Sequence, residues 1–549
     1  MISSTKFVLL RSLSSSQARN FAKSTVNKKK TLPYFKIGTG SIFTTFIVYD
    51  YIVNDFTYCG AISRFMRSLK VATQISWDYL LLQRKESYEN YDVLVKEVHL
   101  KSANRLLDAC LRNGGLYIKV GQGVAAINHI LPLEYTQTLC KLQDECLPTS
   151  KEDVQKVFTK DFGMLPEDMF QDFDYKPIAA ASLAQVFRAK LKTGEEVAVK
   201  VQYGDLQKRF TSDLGTIIFL QDIVELFFKD YNFGWIVRDA KKNLIQELNF
   251  IEEGKNSEKC AKDLQKFNFV HIPKVYWNHT KERVLTLEWI NGLKITNVID
   301  LKKQNLNLSE IDFKLFTIFA EQIFNTGFVH ADPHPGNIFV RKAKNSNESE
   351  LVILDHGLYE TVPENVRLPL CEFWEATVLK DEKRMKRSAL ALNINEYKNF
   401  AQVLFQVPFE INGGQVKTKL SDKDIEYMQQ IAKNNFDRIM QTLREMPRNM
   451  LFVVRNLNTI RAISRHHGDV VDRPKVMARH AQRCMYTKYN SFLGYLRWIC
   501  RRAIFEYCLL KNSFKTSVFS LYINVLYKLG RSPVTSKQVF KSGMEASMT

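Results

Sequence analysis

Apolar and polar positions change rhythm several times along the chain. Residues 86–147 carry helix-period runs such as "VLVKEVHLKSANRLLDACLRNGG", which predict helices broken at Gly114 and Gly115. From Pro177 the period shortens, and "PIAAASLAQVFRAKLKTGEEVAVKVQ" reads as strand, turn at Thr193-Gly194, and strand. Residues 236–260 return to a helical pattern, and strands follow around "HIPKVYW" and "RVLTLEWI". The Gly-containing link "NGLKI" predicts a hinge between a small sheet-bearing lobe and a larger helical one. "IDFKLFTIFAEQIFNTGFVH" is a strongly apolar helix running into "FVHADPHPGNIFV" (328–340). "LVILDHGLY" (351–359) follows across the loose polar loop "RKAKNSNESE", and after residue 360 the pattern is nearly all helix.

The apolar runs around 328–359 leave His330, Asp332, Asn337 and Asp355 as the polar remainder. A hard cation takes oxygen ligands, which Asn337 and Asp355 supply from adjacent strands. Asp332 lies five residues before Asn337, a spacing that lets one loop present a carboxylate to an acceptor hydroxyl while the amide reaches metal. Lys200 ends the alternating "VAVK" and points from the sheet toward whatever lies beneath the hairpin, where a helix glutamate would hold it. The helical stretch offers Glu247 and, six residues on, Glu253. Each element alone is ordinary: a capped turn, a loop amide, an exposed strand lysine. The order Lys, Glu, Asp, Asn, Asp is that of kinase-like folds, and it points to magnesium-assisted phosphoryl transfer. Lys119 and Gln122 share one helix face, which by itself describes a solvated stripe.

Charge narrows the class. The net charge of +20 sits at the ends: residues 1–49 hold eight Lys/Arg and no acid, and 441–549 hold 19 Lys/Arg against five acids. With a near-neutral middle and no motif for reading bases, nucleic acid is not an expected partner. Nine cysteines without a CxxC pair argue against a zinc site and a disulfide framework and favour mostly buried thiols. Residues 1–30 are rich in Ser, Lys and Arg and free of acid, the composition of a mitochondrial transit peptide or of a basic tail. Residues 37–53, "IGTGSIFTTFIVYDYIV", form a candidate transmembrane helix just long enough to span, with a buried or interfacial helix as the other reading. Its basic flank would leave the bulk of the protein in the intermembrane space. Residues 493–530 alternate apolar patches with Arg and Lys, which suits either packing on the helical lobe or lying on an anionic membrane.

"KVGQ" (119–122), "AAASLAQV" (179–186), "VAVK" (197–200), "ELNFIEEGKN" (247–256), "HADPHPGN" (330–337) and "LDHG" (354–357) together resemble the UbiB family, the aarF-type atypical kinase-like proteins, and its mitochondrial branch. "HADPHPGN" also resembles the catalytic loop of aminoglycoside- and choline-type kinases, but the KVGQ and alanine-rich segments favour UbiB. The resemblance implies an α+β, two-lobed protein-kinase-like fold. Its parts would be an N-terminal helical extension (86–150), an N-lobe (151–295) and a helical C-lobe (296–549). It implies ATP and Mg2+ as cofactors. Ala180, Ala181 and Ser182 would form an alanine-rich phosphate loop, with Lys200 and Glu253 as the phosphate-contacting pair. Asp332 would be the catalytic aspartate, and Asn337 and Asp355 the metal ligands. Lys119, Gln122 and Glu247 would close the cleft in which a protein substrate would otherwise lie. Two departures stand out: the family's ExD is Glu247-Leu248-Asn249, and the usual DFG is Asp355-His356-Gly357.

The functional expectation is a Mg-ATP-binding ATPase or phosphotransferase with a small-molecule or lipid acceptor. It would sit at the mitochondrial inner membrane, near anionic lipids such as cardiolipin, in support of lipid or quinone homeostasis. A nucleotide-sensing scaffold and a lipid-handling protein without phosphotransfer are the alternatives.

Overall fold

The computed structural model describes residues 57–84, 90–126, 132–143, 150–180, 183–204, 206–227, 241, 244–344, 346, 348–405, 436–487 and 492–529. The expected leader, the 37–53 segment, Ala181 and Ser182 lie outside these residues. Among the described residues no helix is long and apolar enough to cross a membrane.

The N-terminal extension consists of α1 (Thr57–Gln83), α2 (Tyr91–Asn113), α3 (Leu116–Ala126) and α4 (Leu133–Leu139). Helix α2 stops where the glycines predict, because Gly114 and Gly115 both take positive φ (68° and 49°). Gly121 is the glycine of KVGQ, and a Cβ there would collide with the Leu142 side chain. The absence of a side chain therefore lets α3 lie close against the following turn.

The small lobe begins with α5 (Lys151–Phe162) and continues through β1 (Phe170–Phe173), β2 (Ala179–Ala180), β3 (Ala184–Leu191) and β4 (Glu196–Gln202). Helices α6 (Leu206–Phe227) and α7 (Phe250–Leu264) follow, then β5 (Val270–His271), which pairs with the large lobe's strand at Leu351–Val352, and β6 (Val284–Glu288), which returns to the small-lobe sheet. The sheet runs β1-β3-β4-β6, and β2 also pairs β3, at Gln185 and Val186, beyond the stretch that β1 occupies. The β3–β4 hairpin turns at Gly194 (φ +92°) as expected, though β4 continues two residues past Lys200. Val197, Val199 and Val201 bury one face against Phe158, Phe170 and Phe187. Strand periodicity then sends Lys200 to the opposite face.

The helix expected over 236–260 is interrupted: Lys241 and residues 244–246 are helical, residues 247–249 are not, and a new helix starts at Phe250. Asn249 takes an extended backbone (φ −114°) and its side-chain oxygen accepts from the Ile251 N–H at 3.0 Å, making it the N-cap of α7. Glu247 and Glu253 therefore stand on opposite sides of a helix start.

The large lobe holds β7 (Leu293–Lys294), α8 (Val298–Lys303), α9 (Leu308–Ala320), a π-helical turn (Glu321–Thr326), β8 (Phe328–His330), β9 (Ile338–Lys342), β10 (Ser349–Ile353) and β11 (Tyr359–Thr361). It continues through α10 (Glu364–Leu379), α11 (Glu382–Ala391), α12 (Tyr397–Phe405), α13 (Phe436–Glu445), α14 (Arg448–His467), α15 (Arg473–Thr487) and α16 (Phe492–Lys528). One core runs from Leu315 and Phe319 through Trp374 and Phe405 to Phe505 of α16. Four of the eight described cysteines are buried, so the expectation of mostly buried thiols holds for half of them.

Candidate functional site

Lys200 is aimed by β4, whose Cα register places it between Val186 of β3 and Leu285 of β6. Its Nζ lies 2.7 and 2.9 Å from the two carboxylate oxygens of Glu253 on α7, and 3.4 Å from Asp355 Oδ2. The first turn of α7 thus presents an acid to the sheet, and the strand after the hairpin answers with a cation. Burial disfavours the Lys200 charge, but Asp355 and Glu253 outweigh it and push the amine above its usual range. Two carboxylates share this one cation, and they part company. Burial and the Asp355 charge push Glu253 up to about 7, with Lys200 opposing. Asp355 goes the other way: burial is overcome by Lys200 and by the Gly357 N–H, which donates to Oδ1 at 2.9 Å, and the carboxyl is held low.

Two strand pairs bring the remaining oxygens together. In the β9–β10 ladder Ile338 faces Ile353, so Asn337 and Asp355 leave adjacent strand ends, as expected. The Leu354 N–H donates to the Asn337 carbonyl at 2.9 Å. In the β8–β11 pair His330 faces Tyr359. His330 then joins the two loops: Nε2 donates to the Asp355 carbonyl at 2.8 Å, and Nδ1 accepts from the Asp332 N–H at 3.1 Å. That pattern requires a neutral ring, and burial pushes its pKa down accordingly.

Asp332 stands at the mouth of this arrangement. Its Oδ2 is ion-paired with Arg455 Nη2 at 2.8 Å. Burial would raise its pKa, but Arg455, Lys119 and His334 hold it below the usual range. Lys119 reaches the same region from α3 and pairs with Glu247 at 2.7 Å. Burial disfavours its charge, and Glu247 and Asp332 more than restore it. Gln122 does not accompany it: its amide donates to the Leu142 carbonyl at 2.9 Å, inside the helical extension.

The two departures have structural uses. Asn249 spends its side-chain oxygen on the α7 cap. His356 is fully buried, with Nε2 donating to the Ile353 carbonyl (3.1 Å) and Nδ1 accepting from the Tyr359 hydroxyl (2.9 Å). Burial and the neighbouring His330 push its pKa down to about 3, so the ring is neutral. A polar residue therefore packs here because both nitrogens find partners.

Ala180 lies in β2 opposite Gln185, at the edge of the sheet that carries Lys200. Leu183, just after the alanine-rich loop, packs with Leu116 of α3 and with Leu244 and Leu248. The extension thereby covers the sheet side of the cleft. Among the described residues no cluster of three or more His, Cys, Asp or Glu side chains could hold a metal. Magnesium does not need one. It keeps several waters and takes one or two protein oxygens beside substrate phosphates, which Asp355 and Asn337 fit.

Sequence reasoning missed Arg455 and its neighbour Asn456, whose amide donates to the His330 carbonyl at 2.6 Å. Adjacent Arg and Asn in the apolar helix "MLFVVRNLNTIRAI", with Asn456 fully buried, are the signal that was available.

Residues 141–389 match the model of the ABC1 atypical kinase-like domain. A Dictyostelium discoideum protein described as a probable serine/threonine-protein kinase, abkD, is 39% identical over 459 residues, covering 82% of this chain and 66% of that one. AarF domain-containing protein kinase 1 of Gallus gallus is 36% identical over 414 residues, covering 75% of this chain and 79% of that one. The chain thus spans about two thirds of the first relative's length and about four fifths of the second's. A solved structure of Rv3197 with erythromycin, from Mycobacterium tuberculosis, is similar over 68% of this chain and 97% of that one, at 20% identity and a TM-score of 0.41, too low to argue from.

Proposed function

The chain belongs to the ABC1 atypical kinase-like (UbiB, aarF-type) family, and on that premise we propose that it binds Mg-ATP and either hydrolyses it or transfers its phosphoryl group to a small-molecule or lipid acceptor. The setting we assign is the mitochondrial inner membrane, in support of lipid or quinone homeostasis, on the strength of the basic N-terminus and the 37–53 segment. The observation that carries the catalytic reading is Lys200 held between Glu253 and Asp355. An amine so placed is charged, oriented and ready for nucleotide phosphates.

In this reading Lys200 binds the nucleotide phosphates and Glu253 orients it. The alanine-rich loop around Ala180, Ala181 and Ser182 covers them. Asn337 and Asp355 would hold a magnesium ion, which would supply charge neutralisation at the phosphates. Asp332 orients the acceptor hydroxyl or water and takes its proton as the new P–O bond forms and the bond from the γ-phosphorus to the departing ADP breaks. Lys119, paired with Glu247, narrows the mouth where a protein substrate would enter.

The Asp332–Arg455 ion pair favours a second reading, a nucleotide-sensing scaffold in which ATP is bound and not turned over, because a carboxylate so neutralised is a poor base. One assay separates the two. The full chain is reconstituted in vesicles, and Mg-ATP binding and phosphate release are measured beside Asp332→Asn and Asp355→Asn. Turnover lost in both variants supports the enzyme. Binding without turnover supports the scaffold, and an Asp355→Asn variant that binds Mg-ATP as well as wild type rejects the site.

A further inference from the structure

Helix α16 is 37 residues long and spans about 55 Å. It is fixed to the lobe along one face: Phe505 is 1% exposed, and Glu506 pairs with Arg479 at 2.8 Å and Arg502 at 3.0 Å. The Arg501 carbonyl accepts from Gln482 at 3.1 Å. Nine residues from Phe505, and so on the far side of the helix, stands Phe514, 71% exposed.

Phe514 belongs to a stripe with a regular interval. Leu496, Tyr507 and Val518 repeat every eleven residues, with Leu529 just past the helix end completing the series, and all four are exposed. Leu510 and Leu521 repeat at the same interval. Eleven residues make three turns of a straight α-helix, so the stripe runs down the helix almost without drifting. The same face also holds Tyr507, Phe514 and Leu521 at the seven-residue spacing of a left-handed coiled coil, so period alone serves a flat surface and a partner helix alike.

Charge identifies the surface. The helix carries six Lys/Arg against the single acid Glu506, and that acid is already paired. Arg497 and Lys511 are exposed beside the stripe. Exposed apolar residues flanked by cations, on a helix too polar to span, describe an element lying in the interface of an anionic membrane. We infer that α16 docks the helical lobe flat on an anionic lipid surface, with the Leu496–Leu529 stripe inserted among acyl chains and the basic residues against phosphate headgroups. The inference rests on the membrane setting proposed above but not on nucleotide chemistry. Cell fractionation tests the setting separately from the docking face.

The test places the photo-crosslinking residue p-benzoylphenylalanine at position 514, at position 510 as a second probe, and at Lys192 on the exposed hairpin turn as a control. Each full-length variant is reconstituted with vesicles of phosphatidylcholine alone or with about one part in five phosphatidylglycerol. The expected result is lipid adducts from 514 and 510 at about fivefold or more the yield from 192, higher in the anionic vesicles and reduced by added salt. Equal lipid labelling at 514 and 192 overturns the docking face. Equal yields in the two vesicle types overturn the anionic surface. Chain-to-chain adducts assign the stripe to a second copy, and adducts within one chain to a segment of the protein itself; either result rejects the membrane.

Discussion

Arg455 reaches across 123 residues of sequence to ion-pair with Asp332 at 2.8 Å, so α14 sits on the carboxylate that the acceptor would use. Because Arg455, with Lys119 and His334, keeps that carboxylate ionised and occupied, removing it should expose the base. In Arg455→Ala the prediction is a rise in phosphate release of about tenfold with Mg-ATP affinity changed less than about twofold, while Asp332→Asn abolishes release. A steady-state assay with a separate nucleotide-binding measurement decides it. No rise, with binding intact, would mean that Arg455 only braces the loop.

Lys200 pairs at once with buried Glu253 and with the partly exposed Asp355. Lys200→Ala should leave Glu253 and Asp355 facing each other without it, at a stability cost of about 3 kcal/mol. The same variant should lose stabilisation by Mg-ATP, which for a binding-competent chain at a hundredfold excess over Kd is about 2.7 kcal/mol. Denaturant melts with and without Mg-ATP read both effects. A variant still stabilised by Mg-ATP would place the phosphates elsewhere.

These residues were legible in the sequence because their geometry is local. His330 to Asn337 form one loop, Asp355 follows one strand later, and Lys200 is placed by the alternation of Val197, Val199 and Val201. Arg455 was not legible, because an arginine on a basic helix reads as solvated until tertiary packing turns it inward. Gln122 shows the opposite error: it shares a face with Lys119, but the close approach at Gly121 sends its amide to Leu142. Asn249 stands in the sequence only as a departure from the family's ExD, and its role as a helix cap shows once the backbone around it is known.

Asn249 should accordingly behave as a cap. Asn249→Ala is expected to cost about 1 kcal/mol in a denaturant melt, and Asn249→Asp to cost little or stabilise, since aspartate caps equally well and its charge suits a helix N-terminus. If Asn249→Asp instead raised magnesium affinity without changing stability, the side chain would belong to the metal site.

His467 and Asp312 set the position of α14 and therefore of Arg455. His467 is fully buried, with Nδ1 2.6 Å from Asp312 Oδ1 and Nε2 2.7 Å from the Ile295 carbonyl. Both ring nitrogens face acceptors, so the ring must be the cation. Burial opposes that charge, but the Asp312 hydrogen bond and charge prevail and raise the pKa above 6.5. A raised histidine pKa contributes stability that is fully present below the unfolded value, near 6.5, and is lost as pH rises through the folded value. Wild-type unfolding free energy should therefore fall as pH climbs above about 6.5. His467→Gln, which cannot be protonated, should start about 3 kcal/mol less stable at pH 6 and show a flatter profile. Denaturant titrations at a series of pH values measure both slopes. Parallel profiles would mean that the ring is neutral and that another contact anchors α14.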